Sequence, residues 1–352
     1  MWEKIIGSKI YTAIFLAIVF FVGLAATYLF LSFSKIFVKN PLRNILPTPN
    51  AYTFASPKPI EQFEPEHQEK GTYNILFLGY GGAGHEGSLL TDSIILLHVD
   101  TNSHKAAFIS VPRDLWVNGN HKINAAGISG FQDSKPIVTG VTGLPVNYYV
   151  SVDFGGFTKI IDDLGGITVQ VPATFDDPFY PITGEENNTC GKTEQEINLL
   201  KTKYSGYSLE TQFTCRYEHL HFDKGEVNLD GATALKFARS RHGDSDFGRS
   251  LRQFAILGGI KNKLISFQMT SKFEEIVGTL LHIVRTDLDP SIIKALVQIV
   301  GDVKAYSIKQ IQLTTDNVLN QSTSNNGQFI LIPKSGNFNF SGIKEYISSN
   351  IK

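Results

Sequence analysis

A run of 25 residues without a charge, from Ile10 to Ser34, lies between Lys9 and Lys35. It constrains the chain more than any other feature, because so much contiguous apolar surface has to leave water. As a helix it would extend about 37 Å at 1.5 Å per residue, against about 30 Å of bilayer hydrocarbon. Tyr11 and Tyr28 stand near its ends, where aromatic rings favour the membrane interface. The run reads as a retained single-pass anchor. A cleaved signal peptide, which Ala25-Ala26 would permit, and a buried core helix are the other readings.

The anchor divides the chain. Residues 1–9 form a short tail, 10–34 the transmembrane helix, 35–71 a linker and 72–352 an extracytoplasmic domain with an insertion at 174–220. The linker carries Pro41, Pro47, Pro49, Pro57, Pro59 and Pro65, then Glu61, Glu64, Glu66 and Glu69, the composition of a semi-extended, solvated spacer. Charge alone does not orient the anchor: Lys4 and Lys9 precede it, and Lys35, Lys39 and Arg43 follow. Cysteine usage favours an outside domain. Cys190 and Cys215 are the only two cysteines, both lie in the polar insertion, and no Cys-x-x-Cys is present. A disulfide in an oxidising compartment is the economical reading; free thiols or half a metal site are the alternatives.

With 32 basic against 33 acidic residues, the chain has no global basic field, which argues against nucleic acid as a partner. The domain alternates strands and helices. Strand-like runs cover Tyr73 to Leu78, Ile94 to Val99, Ala106 to Val111, Val146 to Val152 and Ile167 to Val171. Helical runs cover Phe154 to Leu164, Gly231 to Ala238, Phe247 to Ile265, Lys272 to Val284 and Ser291 to Ile299. The tail mixes short strands, Phe329 to Pro333 among them, with polar loops. That rhythm argues for an α/β domain.

Candidate site residues fall at element ends. Gly79 to Gly87 holds five glycines in nine residues; such backbone approaches ligands closely, though a flexible turn reads equally well. Asp92 opens the second strand, where a carboxylate suits a divalent cation such as Mg²⁺ or simply starts the strand. Arg113 ends the third strand, where open α/β sheets place ligands, and Asp114 is placed to brace it. Lys122 and Asn124 follow, as ligand contacts or as a solvated loop.

Arginine usage is the sharpest local signal. Of eight arginines, Arg239, Arg241, Arg249 and Arg252 fall between 239 and 252, a window without lysine. Planar, bidentate guanidinium suits phosphate oxygens in a way a point charge does not. Arg239 and Arg241 share a side if the chain leaves its helix extended. Arg249 and Gln253 are i, i+4 near the start of the next helix, for which Asp246 is a plausible N-cap. The competing reading is a set of surface ion pairs with Asp244, Asp246 and Glu218.

These segments together resemble the LytR–CpsA–Psr family of cell-envelope proteins. The resemblance rests on Asn74–Gly79, Leu90–Ile94, Ser110–Asp114, Lys122–Ala126, Val152–Phe157, Asp163–Ile167 and Leu229–His242 with its Arg249, Arg252 and Gln253 continuation. It implies an α/β/α sandwich with a mixed central sheet. The implied activity is Mg²⁺-assisted transfer of a glycopolymer from a polyprenyl-diphosphate carrier to peptidoglycan at the cell membrane, the lipid lying in an apolar tunnel. It implies Asp92 as the metal carboxylate and Arg113, Arg239 and Arg241 as catalytic. Arg249, with Gln253 assisting, completes the diphosphate contacts it implies; Arg252, Lys122 and Asn124 join them as candidates from their own positions. Two positions depart from the pattern: Gly81 and Leu90 stand where many members carry aspartate and arginine. His85 and Glu86 are the nearest substitutes for the missing carboxylate. The departures leave two further readings open, a polyprenyl-diphosphate diphosphatase and a non-catalytic lipid- or glycan-binding envelope protein.

Overall fold

The computed structural model describes residues 71–84, 87–240, 246–267, 273–300 and 302–352. The expected anchor and linker, together with His85, Glu86, Arg241, His242 and Asp244, lie outside the described residues. Among the described residues no helix is long and apolar enough to cross a membrane.

The chain opens on three long strands, β1 (Thr72–Tyr80), β2 (Thr91–Asp100) and β3 (Lys105–Ser110). They form an antiparallel meander. A two-strand hairpin, β4 (Trp116–Val117) and β5 (His121–Lys122), leads into helix α1 (Ser134–Thr142), which returns the chain to β6 (Tyr148–Asp153). β6 lies parallel to β1, and Tyr80 pairs with Asp153 at its end. Helix α2 (Phe154–Asp163) follows without a loop; the Asp153 side chain caps it, accepting from Gly156 N at 2.7 Å. β7 (Ile167–Val171) then leads into the insertion at 174–220.

That insertion is more ordered than its polar composition suggests. Strands β8 (Phe175–Pro181) and β9 (Tyr217–Phe222) pair antiparallel, enclosing helices α3 (Glu194–Lys203) and α4 (Tyr207–Glu210). Thr193 and Glu196 form a reciprocal capping box on α3, which satisfies two end donors without any core. Cys190 and Cys215 are bonded.

β10 (Gly225–Leu229) pairs with β7, and helices α5 (Gly231–Arg239), α6 (Asp246–Phe267) and α7 (Phe273–Ile283) follow. After them come β11 (Arg285–Thr286), α8 (Pro290–Val300), β12 (Ser307–Gln312), the pair β13 (Leu319–Thr323) and β14 (Phe329–Pro333), and α9 (Ser341–Ile351). The central sheet runs β11-β6-β1-β2-β3-β12, with β12 parallel to β3. The sheet is therefore mixed, as expected.

Side-chain alternation assigns the two faces. Leu76, Leu78 and Tyr80 of β1, with Leu96 and Ile109, pack against Val138 and Val141 of α1 and Ile343 and Ile347 of α9. The alternate residues Tyr73, Ile75 and Phe77 face the opposite way, toward α2, α5, α6, α7 and α8. Helices cover both faces, but the second layer does not close onto the sheet.

Candidate active site

The gap between the sheet and that second layer is a cavity of about 730 Å³. Its walls are apolar: Ile75, Phe77, Ile95 and Phe108 from the sheet, Phe157 and Ile160 from α2, Ile256 and Ile260 from α6, and Leu296 from α8. Protein interiors are close-packed, so an apolar void of this size is built for a ligand.

The polar residues of this cavity are few. Asp92, Arg113, Asp153, Arg239, Arg249 and Gln253 all line it, and they come from separate elements. Asp92 belongs to β2, beside a bulge where Gly79 pairs with Ser93 but Tyr80 with Thr91. Arg113 follows β3. Arg239 ends α5, and Ser240 leaves that helix extended at φ −52, ψ 140. Arg249 and Gln253 are one turn apart near the start of α6 and both face the cavity. Among the described residues, the structure thus gathers four of the expected diphosphate contacts, Arg113, Arg239, Arg249 and Gln253, with the expected metal carboxylate.

Each is held. Arg113 Nη1 donates to Asp92 Oδ1, while its Nε lies 3.9 Å from Asp114 Oδ2 and is buried without a hydrogen-bond partner among the described residues. The Arg239 guanidinium stacks over Phe154 at 4.1 Å and lies near the Tyr180 hydroxyl. Burial pushes the Tyr180 hydroxyl pKa up, with Arg239 opposing, so the phenol stays a neutral partner. Gln253 accepts from Ser93 Oγ at 3.0 Å and donates to Ala238 O at 3.4 Å. Arg249 is 8% exposed.

Three expected contacts stand elsewhere. Arg252 is 2% exposed and does not line the cavity. Its Nε donates to Phe237 O at 2.7 Å and its Nη2 to Ser240 O, and its guanidinium stacks over Phe175 at 4.0 Å. It braces the α5 exit rather than presenting a fork to a ligand. Lys122 Nζ donates to Asp114 Oδ1 at 2.6 Å, outside the cavity. Asn124 is buried, and its backbone N–H donates to Arg113 O at 3.2 Å while its carbonyl accepts from Thr91. Both support the Arg113 loop.

The ion-pair reading of the arginine window is not what forms on Glu218, which pairs with Lys236 at 2.7 Å. Sequence reading passed over Asp153 and Ser93. Asp153 carries a signal in hindsight: it ends a strand and caps a helix, the junction where α/β sheets place ligands.

As for Mg²⁺, among the described residues no three His, Cys, Asp or Glu side chains gather as a metal cage. Magnesium does not need one, since it binds through one or two carboxylates with water and substrate phosphates. Asp92, beside three arginines suited to phosphate, fits that mode.

A smaller cavity of about 170 Å³ adjoins this rim, sharing Asp92, Arg113, Arg249 and Gln253 and adding Ser110, Ser250, Gln312 and Thr315. The site is therefore a charged strip with a large apolar chamber on one side and a small recess of mixed lining on the other.

Comparison with known proteins agrees. TagV of Bacillus subtilis, described as a polyisoprenyl-teichoic acid–peptidoglycan teichoic acid transferase, is 29% identical over 259 residues, covering 70% of this chain and 57% of TagV. TagU of Oceanobacillus iheyensis, described in the same terms, is 32% identical over 237 residues, 63% of this chain and 61% of TagU. The match thus spans less than two thirds of each relative's length. The crystal structure of B. subtilis TagV matches with a TM-score of 0.57 at 25% identity, over 80% of this chain and 96% of that one. The family model described as the LytR_cpsA_psr family matches residues 48–337, and with that match over most of its length the chain belongs to the LytR–CpsA–Psr family.

Proposed function

We propose that this protein is a membrane-anchored, extracytoplasmic phosphotransferase that moves a glycopolymer from a polyprenyl-diphosphate carrier onto peptidoglycan with the help of Mg²⁺. The observation that carries the proposal is the meeting of Arg113, Arg239, Arg249, Gln253 and Asp92 on one apolar cavity. The transferase descriptions of TagV and TagU support it.

The chemistry follows from the geometry. A polyprenyl diphosphate has a long apolar tail and a compact, multiply charged head. The chamber takes the tail, each buried methylene contributing about 0.8 kcal/mol. The arginines take the head through charge-assisted forks, and Arg241, next to Ser240 in the chain, is assigned to the same set. Phosphoryl transfer asks for charge stabilisation and in-line placement more than covalent help. Guanidinium groups fixed by Phe154 and Asp92 are preorganised for that charge. Asp92 would hold Mg²⁺, which would supply charge neutralisation for the departing phosphate. The uncharged run of residues 10–34 keeps the chamber near the membrane that supplies the lipid.

The test is an in vitro transfer assay with a polyprenyl-diphosphate-linked glycan and peptidoglycan. Polymer attachment that requires divalent metal and is lost in Arg239→Ala and Asp92→Asn is the expected result. Phosphate release at the same rate with or without peptidoglycan identifies a diphosphatase instead. Lipid binding with no product at any Mg²⁺ concentration identifies a binding protein.

A further inference from the structure

We infer that Asp153 is the proton acceptor for the attacking sugar hydroxyl. The inference rests on the transfer reading above and names a group that reading leaves unassigned. A hydroxyl that attacks phosphorus must lose its proton, and a positioned carboxylate is a suitable taker. Three carboxylates stand at the two cavities: Asp92, Asp114 and Asp153. Asp92 is bound to Arg113. Asp114 is bound to Lys122 at 2.6 Å and is 7% exposed. Asp153 has no ion-pair partner among the described residues.

Its geometry is set by the fold. Oδ1 accepts the Gly156 N–H at 2.7 Å, which fixes the rotamer and directs Oδ2 away from the helix end. Gly82, at φ +80, passes directly over the side chain. A Cβ there would lie 2.8 Å from Asp153 Cβ and 3.3 Å from Oδ2, so any other residue would cover the free oxygen. Asp153 and Asp92 flank the end of β1 on β6 and β2. Two strand spacings separate them, about 10 Å, with Arg239 stacked on the neighbouring Phe154. A diphosphate held by the arginines thus has Asp92 on one side and Asp153 on the other.

The step balances. The acceptor hydroxyl oxygen bonds to the glycan-proximal phosphorus, and the bond from that phosphorus to the bridging oxygen breaks. The electron pair leaves with polyprenyl phosphate, and the hydroxyl proton passes to Asp153 Oδ2.

The helix cap makes the test clean, because asparagine and serine cap as well as aspartate but take no proton at neutral pH. Full-length Asp153→Asn and Asp153→Ser are compared with wild type in the transfer assay, by thermal unfolding and by binding of polyprenyl phosphate. The expected result is a fall in kcat of about 10²- to 10⁴-fold with KM, melting temperature and lipid affinity near wild type. Asp153→Ala should lose activity equally and also melt earlier. Transfer by Asp153→Asn within about threefold of wild type overturns the assignment, as does loss of lipid affinity in step with activity. A wild-type chain that makes no product refutes the transfer reading itself, and the assignment with it. An active wild type beside an equally active Asp153→Asn refutes only the base.

Discussion

Replacing Arg252 with leucine separates a brace from a ligand. The side chain is 2% exposed and donates to two backbone carbonyls, Phe237 O and Ser240 O. Both acceptors belong to residues no more than 1% exposed, so water does not replace the lost donors. An orphaned buried acceptor costs about 1–3 kcal/mol, and the stack on Phe175 adds about 0.5–2 kcal/mol. For two acceptors and the stack the sum is about 2.5–8 kcal/mol, and with the offset from the new apolar side chain a net loss of about 4 kcal/mol is expected. At about 2–4 °C per kcal/mol for a domain approaching this size, the melting temperature should fall by about 8–16 °C. Differential scanning calorimetry of Arg252→Leu, Arg249→Ala and wild type measures that, and titration with polyprenyl phosphate well below the transitions measures the site. Arg252→Leu should lose more stability than Arg249→Ala, and Arg249→Ala more affinity. Wild-type melting in Arg252→Leu together with a tenfold loss of affinity would refute the reasoning and return Arg252 to the ligand set.

Ile75→Trp projects extra bulk into the chamber rather than into packed core. It should weaken binding of long-chain polyprenyl phosphates more than short-chain ones in a chain-length series, with little change in melting temperature, because overpacking costs arise where space is already filled. Gly231→Ala should do the reverse, since a Cβ there would meet Thr158 O at 2.2 Å. A loss of about 3 kcal/mol or more is expected in urea unfolding. Reducing Cys190–Cys215, 25 positions apart, removes at most about 3.5 kcal/mol. Because the bond closes only the insertion, limited proteolysis should cut between β8 and β9 while lipid binding persists.

The order of elements was legible from local signals. Ile167 to Val171 and Phe329 to Pro333 coincide with β7 and β14, and the start of α2 at Phe154 follows from the Asp153 cap. What misled was pairing and partnership. The meander of β1, β2 and β3 was not legible, because hydrophobic runs record burial and not strand direction. The insertion looked irregular because its α3 helix is stabilised by a capping box, without any buried residue to leave a periodic trace. Lys122 looked like a ligand because a lysine after a turn carries no local mark of the carboxylate it will meet, here Asp114.

The residue types of the site were written in the chain: a lysine-free arginine cluster, an aspartate opening a strand, and a second strand ending in arginine. Periodicity of two and of 3.6 determined which side chains would share an element's face, and this put Arg249 with Gln253. Only the tertiary structure decided that Arg252 turns inward while Arg239 turns to the chamber, that Asp92 meets Arg113, and that Asp153 has no ionic partner among the described residues. Those outcomes depend on contacts between residues up to 160 positions apart, such as Ser93 with Gln253. Their energies come from burial and partner geometry, which no local stretch of sequence contains.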